Sequence, residues 1–362
     1  MPGAQIGQRC VSRHYCFKDI KYRPKTKENN TEMALYIVYI IIGVVLVLRG
    51  ADRLTEGASA LARRMQVPEM IIGLTIVAAG TSAPELFVSL TSALKGSADM
   101  AVGNVIGSNI LNTLLIVGCA AMVSPITISR STVSKDLPLS VAMTLLLIIL
   151  CLDNFSGINI RGNTIDRADG MILLVCFTTF MAFTIYTAKR EKNEIAAANT
   201  GNGKTDEHAS NTGMPVWKSI AFISIGLLFL IIGSDLFSDY SAKVAAILGM
   251  SDATIGITIV AGGTSLPELA TSVVAARKGQ SAMAIGNVIG SNVFNILAIL
   301  GITAAISPLT ITDITITDLC VMIAGAVAVW LFSFTRYTVS RTEGVMLTLS
   351  YIGYAAWRLF NV

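Results

Sequence analysis

Two glutamates stand inside apolar stretches of this 362-residue chain, and the same short text leads into each. Glu85 closes Gly80-Thr81-Ser82-Ala83-Pro84-Glu85, and Glu268 closes Gly263-Thr264-Ser265-Leu266-Pro267-Glu268, 183 positions later. An ionisable residue inside a membrane span costs roughly 2.5–3.5 kcal/mol on insertion scales and marks a functional site by default. The neighbours add oxygen. Thr81 and Ser82 precede Glu85 by four and three residues, so a helical backbone sets them on its face. Thr264 and Ser265 stand in the same relation to Glu268. Ser82 and Ser265 also sit where a half-helix takes its N-cap. Pro84 and Pro267 lack an N–H, which leaves carbonyls before them free, and Ala78 and Ala261 are the expected carbonyl donors. Irregular backbone at membrane depth survives only where protein buries it or a wet cavity adjoins it.

A second doubled segment follows each acid: Gly103-Asn104-Val105-Ile106-Gly107-Ser108-Asn109-Ile110-Leu111-Asn112, and Gly286-Asn287-Val288-Ile289-Gly290-Ser291-Asn292-Val293-Phe294-Asn295. Ser108 and Asn112 are spaced i,i+4, as are Ser291 and Asn295, so each pair lines one helix face, and the glycines allow close helix approach. Asn104 and Asn287, each next to glycine, are expected to satisfy backbone groups. Together the segments offer two carboxylates, two amides, several hydroxyls and two carbonyls, with no nitrogen or sulfur donor. Hard cations such as Ca²⁺ and Na⁺ take such sets, Ca²⁺ with 6–8 oxygens, whereas transition metals recruit His or Cys. Two glutamates balance one Ca²⁺. A hydroxyl in a span is more often packing than ligation, and one intramembrane glutamate can be held structurally. The paired occurrence tips the reading to a site. Asp52 and Asp235, at span ends, read as structural partners of nearby arginines, with Arg49 and Arg53 beside Asp52.

The elements that must position these residues are membrane spans. The chain is 53% hydrophobic and 14% charged, against about 25% charged in a soluble domain, and its apolar runs approach the ~20 residues a bilayer demands. The net charge of +4 does not point to nucleic acid, since the basic residues lie between spans or in the N-terminal tail. The six cysteines form no C-x-x-C pair, so neither zinc nor a disulfide framework is indicated. Run lengths predict ten spans, at 34–51, 67–94, 98–124, 137–152, 169–188, 217–237, 251–276, 281–307, 317–335 and 343–361. The expected organisation is a polar basic tail over 1–33, a first five-helix repeat over 34–188, a flexible linker over 189–216 and a second five-helix repeat over 217–362. Residues 72–128 align with 255–311 without a gap, and more than half of the positions are identical. Five spans per copy puts the second copy upside down, the inverted-repeat plan of many secondary transporters. Loops on the linker's side hold fifteen Lys and Arg and those opposite hold five, which places the linker in the cytoplasm. The tail adds seven on the wrong side. Met33 directly before the first span is an alternative start that would leave residues 1–32 non-native, and the other reading is a lipid-binding basic arm.

On its two doubled signatures, Gly80 to Glu85 with Gly103 to Asn112 and Gly263 to Glu268 with Gly286 to Asn295, the chain resembles the calcium/cation antiporter superfamily, in its prokaryotic sodium/calcium exchanger branch. The resemblance covers residues 34–361. It implies an all-α polytopic membrane protein of ten helices, four ion sites in a diamond at the midplane, and alternating access by sliding of the first and sixth helices. By motif, Glu85 and Glu268 would be central calcium ligands shared with flanking sodium sites. Thr81, Ser82, Ser108, Thr264, Ser265 and Ser291 would add side-chain oxygens, Ala78 and Ala261 carbonyls, and Asn112 and Asn295 would border the middle site. Ala83 stands where relatives carry Leu. Asn295 stands where relatives commonly carry Asp, leaving two acids instead of three, which bears on potassium co-transport.

The expectation is therefore a sodium/calcium antiporter of the cell (inner) membrane. It exchanges several Na⁺ for one Ca²⁺, without cofactor or catalytic residue, with Ca²⁺, Na⁺ and lipid as partners and a monomeric state. A proton/calcium antiporter would use the same acids, but that branch carries an acid in the Gly-Asn helix, where this chain has none. A cation channel needs a continuous pore, and an intramembrane enzyme needs a nucleophile-base pair that the signatures lack.

Overall fold

The structure is a computed structural model that describes residues 28–151, 163–201, 214–250 and 261–360. It is almost wholly helical. In chain order the helices are α1 (Glu28–Met65), α2 (Glu69–Thr81), α3 (Ala83–Leu94), α4 (Ala98–Val123), α5 (Thr132–Cys151), α6 (Arg167–Gly201), α7 (Val216–Ile247), α8 (Ala261–Thr264), α9 (Leu266–Arg277), α10 (Ser281–Ile306), α11 (Ile316–Phe334) and α12 (Arg341–Phe360). Seven of the described helices are long and apolar enough to cross a bilayer, and the pair α2–α3, bent by 45° at Ser82, makes an eighth span. Run lengths gave ten. Residues 251–260, the start of one expected span, lie outside the described residues. α12 has the length to cross but carries Arg341, Glu343 and Arg358, and falls short in hydropathy.

Element ends differ from the run lengths where polar helix formers extend a span. α1 continues to Met65 and α6 to Gly201, through residues read as linker. Glu, Lys and Ala there are strong helix formers, so the helix outlasts the apolar run. The tail expected over 1–33, apart from its last residues, and the middle of the linker expected over 189–216 fall outside the described residues.

Contacts between the two halves come in exchanged pairs. Strand β1 (Ile126–Thr127) pairs with β4 (Thr338–Val339), and β2 (Thr164–Ile165) pairs with β3 (Leu309–Thr310). α1 and α7 lie backbone to backbone: a Cβ on Gly43 would stand 2.8 Å from the Gly233 carbonyl, and one on Gly50 would stand 2.8 Å from that of Gly226. These glycines are offset partners, 43 with 226 and 50 with 233. Small residues at such crossings let helices approach closely in lipid, where packing and not hydrophobicity drives association. Around this seam α4 and α10 form the most buried helices of the fold, while much of α1, α5, α6 and α7 is exposed apolar surface suited to lipid.

A buried pair of acids at crossed helix breaks

Each acid sits just past a break. α2 ends at Thr81, Ser82 takes φ −83°, ψ 7°, and α3 resumes with Pro84 in its first turn and Glu85 behind it. α8 ends at Thr264, Ser265 takes φ −89°, ψ 6°, and α9 resumes with Pro267 and Glu268. Both glutamates are 1% exposed.

The hydroxyls cross over. Ser82 Oγ donates to Glu268 Oε1 at 3.0 Å, and Ser265 Oγ donates to Glu85 Oε1 at 3.1 Å. Thr264 stands near enough to Glu85, and Thr81 to Glu268, to favour the carboxylate. Spacing had put these hydroxyls on the face of the acid in their own helix. The break ends that register, and each serves the acid of the other copy. The serines stand at the N-cap position but make no side-chain cap, because the hydroxyl is spent on the carboxylate opposite. Thr81 Oγ1 also lies 3.2 Å from Asn287 Oδ1. The Ala78 carbonyl accepts from Ser82 N at 2.9 Å and from Thr81 Oγ1 at 3.4 Å. Ala261 opens α8, and the stretch before it is outside the described residues.

The Asn helices close around this centre. Asn112 and Asn295 fall within π-helical turns, Leu111–Ile116 and Phe294–Ile299, insertions that recur at functional sites. Asn112 Nδ2 donates to Asn292 Oδ1 at 3.1 Å, and Asn295 Nδ2 to Asn109 Oδ1 at 3.1 Å and to Ser108 Oγ at 3.0 Å. Asn109 and Asn292 were not singled out in the sequence, although they match at the same offset. Asn104 Nδ2 bonds the Glu85 carbonyl at 3.2 Å, and Asn287 Nδ2 the Glu268 carbonyl at 3.5 Å, each with a serine as second acceptor. This is the backbone role expected of them. Asp52 is paired as expected, but with Lys278 of the other half at 3.0 Å, while Arg53 pairs with Glu56 at 3.3 Å.

The atoms left over decide what the site suits. Glu85 Oε2, Glu268 Oε2, Asn112 Oδ1, Asn295 Oδ1 and Ser291 Oγ are buried without a hydrogen-bond partner. Buried polar atoms are normally paired, and a buried carboxylate oxygen without a donor is costly unless the group meets a cation or takes a proton. Four of the five are pure acceptors, and the set contains no nitrogen or sulfur ligand. Among the described residues no cluster of three or more His, Cys, Asp or Glu exists. The donor set fits a hard cation and not a transition metal.

Comparison with known proteins points the same way. Residues 35–186 and 218–360 match the family described as Sodium/calcium exchanger protein. The chain is 37% identical over 326 residues to the Putative antiporter CaxA of Alkalimonas amylolytica, covering 89% of this chain and 98% of that protein. It is 31% identical over 338 residues to the Sodium/calcium exchanger MaX1 of Methanosarcina acetivorans, covering 87% and 96%. Its fold matches that of the sodium-calcium exchanger NCX_Mj with a TM-score of 0.74 at 28% identity, over 89% of this chain and 98% of that one.

Proposed function

The chain belongs to the sodium/calcium exchanger protein family, and on that premise we propose that it is an electrogenic antiporter that exchanges several Na⁺ for one Ca²⁺ by alternating access. The ions bind where the two copies cross, near the membrane midplane. Glu85 and Glu268 supply the charge, with Thr81, Ser82, Thr264, Ser265, Ser108, Ser291, Asn112, Asn295 and the carbonyls of Ala78 and Ala261 as the oxygen set. The copies, 34–188 and 217–362, form ten helices with inverted topology in the cell membrane, and the linker 189–216 faces the cytoplasm.

The observation that carries this reading is the reciprocal crossing of Ser82 to Glu268 and Ser265 to Glu85, with one unpartnered oxygen left on each carboxylate. Two facing anions in low dielectric repel and resist desolvation. A carrier without ions therefore resists moving the pair past the seal between the two faces. One Ca²⁺ cancels both charges, and sodium ions cancel them singly. Because both ions compete for the same two carboxylates, one must leave before the other loads, which couples the fluxes. Both MaX1 and NCX_Mj carry names that specify sodium and calcium, whereas CaxA is named only as an antiporter.

Calcium uptake into proteoliposomes tests the proposal, with sodium, potassium and proton gradients imposed in turn. Uptake driven by an outward sodium gradient, and stimulated by a potential that moves net positive charge, is the expected result. Uptake driven by a pH gradient without sodium would establish a proton/calcium antiporter instead. Currents far above carrier turnover would establish a channel.

A further inference from the structure

α1 and α7 pack against each other along their length. Their glycines bring the backbones into contact along the seam, and aromatic clamps close both ends. At one end Arg53 lies 4.8 Å and Lys218 5.6 Å from the Phe222 ring. At the other, Tyr39 stacks on Tyr240 at 4.4 Å, with Lys243 Nζ 4.2 Å from the Tyr240 ring. This pair is fastened on either side of the half-helix that carries Glu268: to the end of α8 before the break, and just past the end of α9. Where the break begins, Ser234 Oγ of α7 donates to the Gly263 carbonyl, which cannot receive the usual helical donor because residue 267 is proline. Where α9 finishes, Lys278 Nζ lies 3.0 Å from Asp52 Oδ1, 3.0 Å from the Asp52 carbonyl and 2.9 Å from Thr55 Oγ1 of α1. An ammonium has three donors, and here each meets an oxygen, one of them on the fully buried Thr55.

The other half-helix, α3, is not fastened in the same way at its start. The position of α1 that matches Ser234 is Ala51, which has no hydroxyl to give the Gly80 carbonyl. A Cβ on Gly80 would meet the Leu227 side chain, where one on Gly263 would meet Ser238. The α1–α7 pair therefore holds the Glu268 half at the break by a bond the other half lacks, and holds it again where Arg53 and Lys278 gather, the side of the linker in the proposed topology.

We propose that Lys278 is a positioning residue of the transport cycle: a latch that holds the α1–α7 pair against α9 in the state shut on the linker side, and lets go when the carrier turns. This rests on the alternating-access reading above. The chain carries the matching set for the opposite face at the same offset, in Lys95, Asp235 and Ser238. The Lys278–Asp52 side chains are 31% and 50% exposed, so the latch is a half-wet ion pair, weak enough to break within a cycle and sensitive to salt.

The test uses the full chain in proteoliposomes, with its six cysteines replaced and one reporter thiol, Ala58→Cys, on the fully buried face of α1 one turn beyond Thr55. A membrane-impermeant maleimide is added from each face in the absence of any ion gradient. Lys278→Met is expected to speed labelling from the linker side by about 5-fold, the scale of a broken ion pair, and to leave labelling from the other face no faster. Lys278→Arg should restore most of the protection. High choline chloride should speed labelling of the parent but not of Lys278→Met. Asp52→Asn removes only the carboxylate and should shift labelling in the same direction by less, which keeps the test available if Lys278→Met does not fold. Unchanged labelling in both variants, or an equal rise from both faces, overturns the latch. Because labelling needs no gradient, a protein whose flux ignores sodium but whose thiol answers to Lys278 sinks the reading of the driving ion alone, and the reverse pattern sinks the latch alone.

Discussion

At the centre of the molecule, what one copy gives the other returns. Ser82 bonds Glu268 and Ser265 bonds Glu85; Asn112 bonds Asn292 and Asn295 bonds Asn109. At the rim, where α1 and α7 meet the half-helices, the returns fail. Ser234 caps the Gly263 carbonyl while Ala51 stands at the matching place. The symmetry also fails away from that seam, where Asp318 of α11 is held by Tyr354 and Arg358 of α12 while Lys135 stands at its offset. The two regions answer different demands. In the proposed antiporter an ion bound between two copies needs ligands from both, which accounts for the symmetry of the centre. The rim carries no shared ion and is free to differ between the copies.

Substitutions at matched places sharpen that contrast, and the acids should show it most strongly. Glu85→Gln and Glu268→Gln each remove one of two charges from a buried cation, a loss of about 3 kcal/mol or more. Sodium-driven calcium uptake is expected to fall by about 100-fold in each, and normal flux in either breaks the symmetry of the centre. Next come the seam glycines. In Gly50→Ala and Gly233→Ala the new methyl would sit 2.8 Å and 2.7 Å from a carbonyl oxygen of the facing helix. Each is expected to cost about 1–3 kcal/mol, read as matched falls in the thermal unfolding midpoint in detergent. Ser82→Ala and Ser265→Ala delete one hydrogen bond to the opposite carboxylate, worth about 1.5–3 kcal/mol when the acceptor is charged. Matched weakening of apparent calcium affinity is expected, about 10-fold. Unequal effects would place the sites of the two copies under different control. The smallest change lies at the rim: Phe222→Leu removes the ring under Arg53 and Lys218, with an expected stability loss of about 0.5–1 kcal/mol. Tyr240→Leu at the far clamp should match it only in part, because that ring also stacks on Tyr39.

Much of the centre could be read before any fold was known. The acids, their hydroxyls and the asparagines declared themselves by type and by recurrence at one offset, and Asn104 and Asn287 proved to bond the carbonyls of the two glutamates. What spacing could not give was the partner of each hydroxyl. An i,i+4 rule holds only while the helix runs on, and the 45° bend at Ser82 turns Thr81 and Ser82 toward the other copy. Asn109 and Asn292 escaped notice because they lie one residue along from Ser108 and Ser291, off the face that the i,i+4 pairs define. Lys278 and Asp52 are separated by most of the chain, and no local pattern joins them. Helix ends were misjudged where apolar runs stopped but helix formers did not, as in α6. Composition marks α12 less plainly than run length does, because its charged ends lower its hydropathy below that of its neighbours.

The central claim is that one ion is shared by two acids from two copies. Equilibrium calcium binding to the purified protein without sodium tests it most directly, comparing Glu85→Gln, Glu268→Gln and the double substitution. If both carboxylates hold the same ion, each single change alone abolishes tight binding and the double loses little more, the non-additivity expected of groups in one site. Wild-type affinity in either single variant, or half the calcium stoichiometry in each single with none in the double, would mean separate sites and would contradict the account.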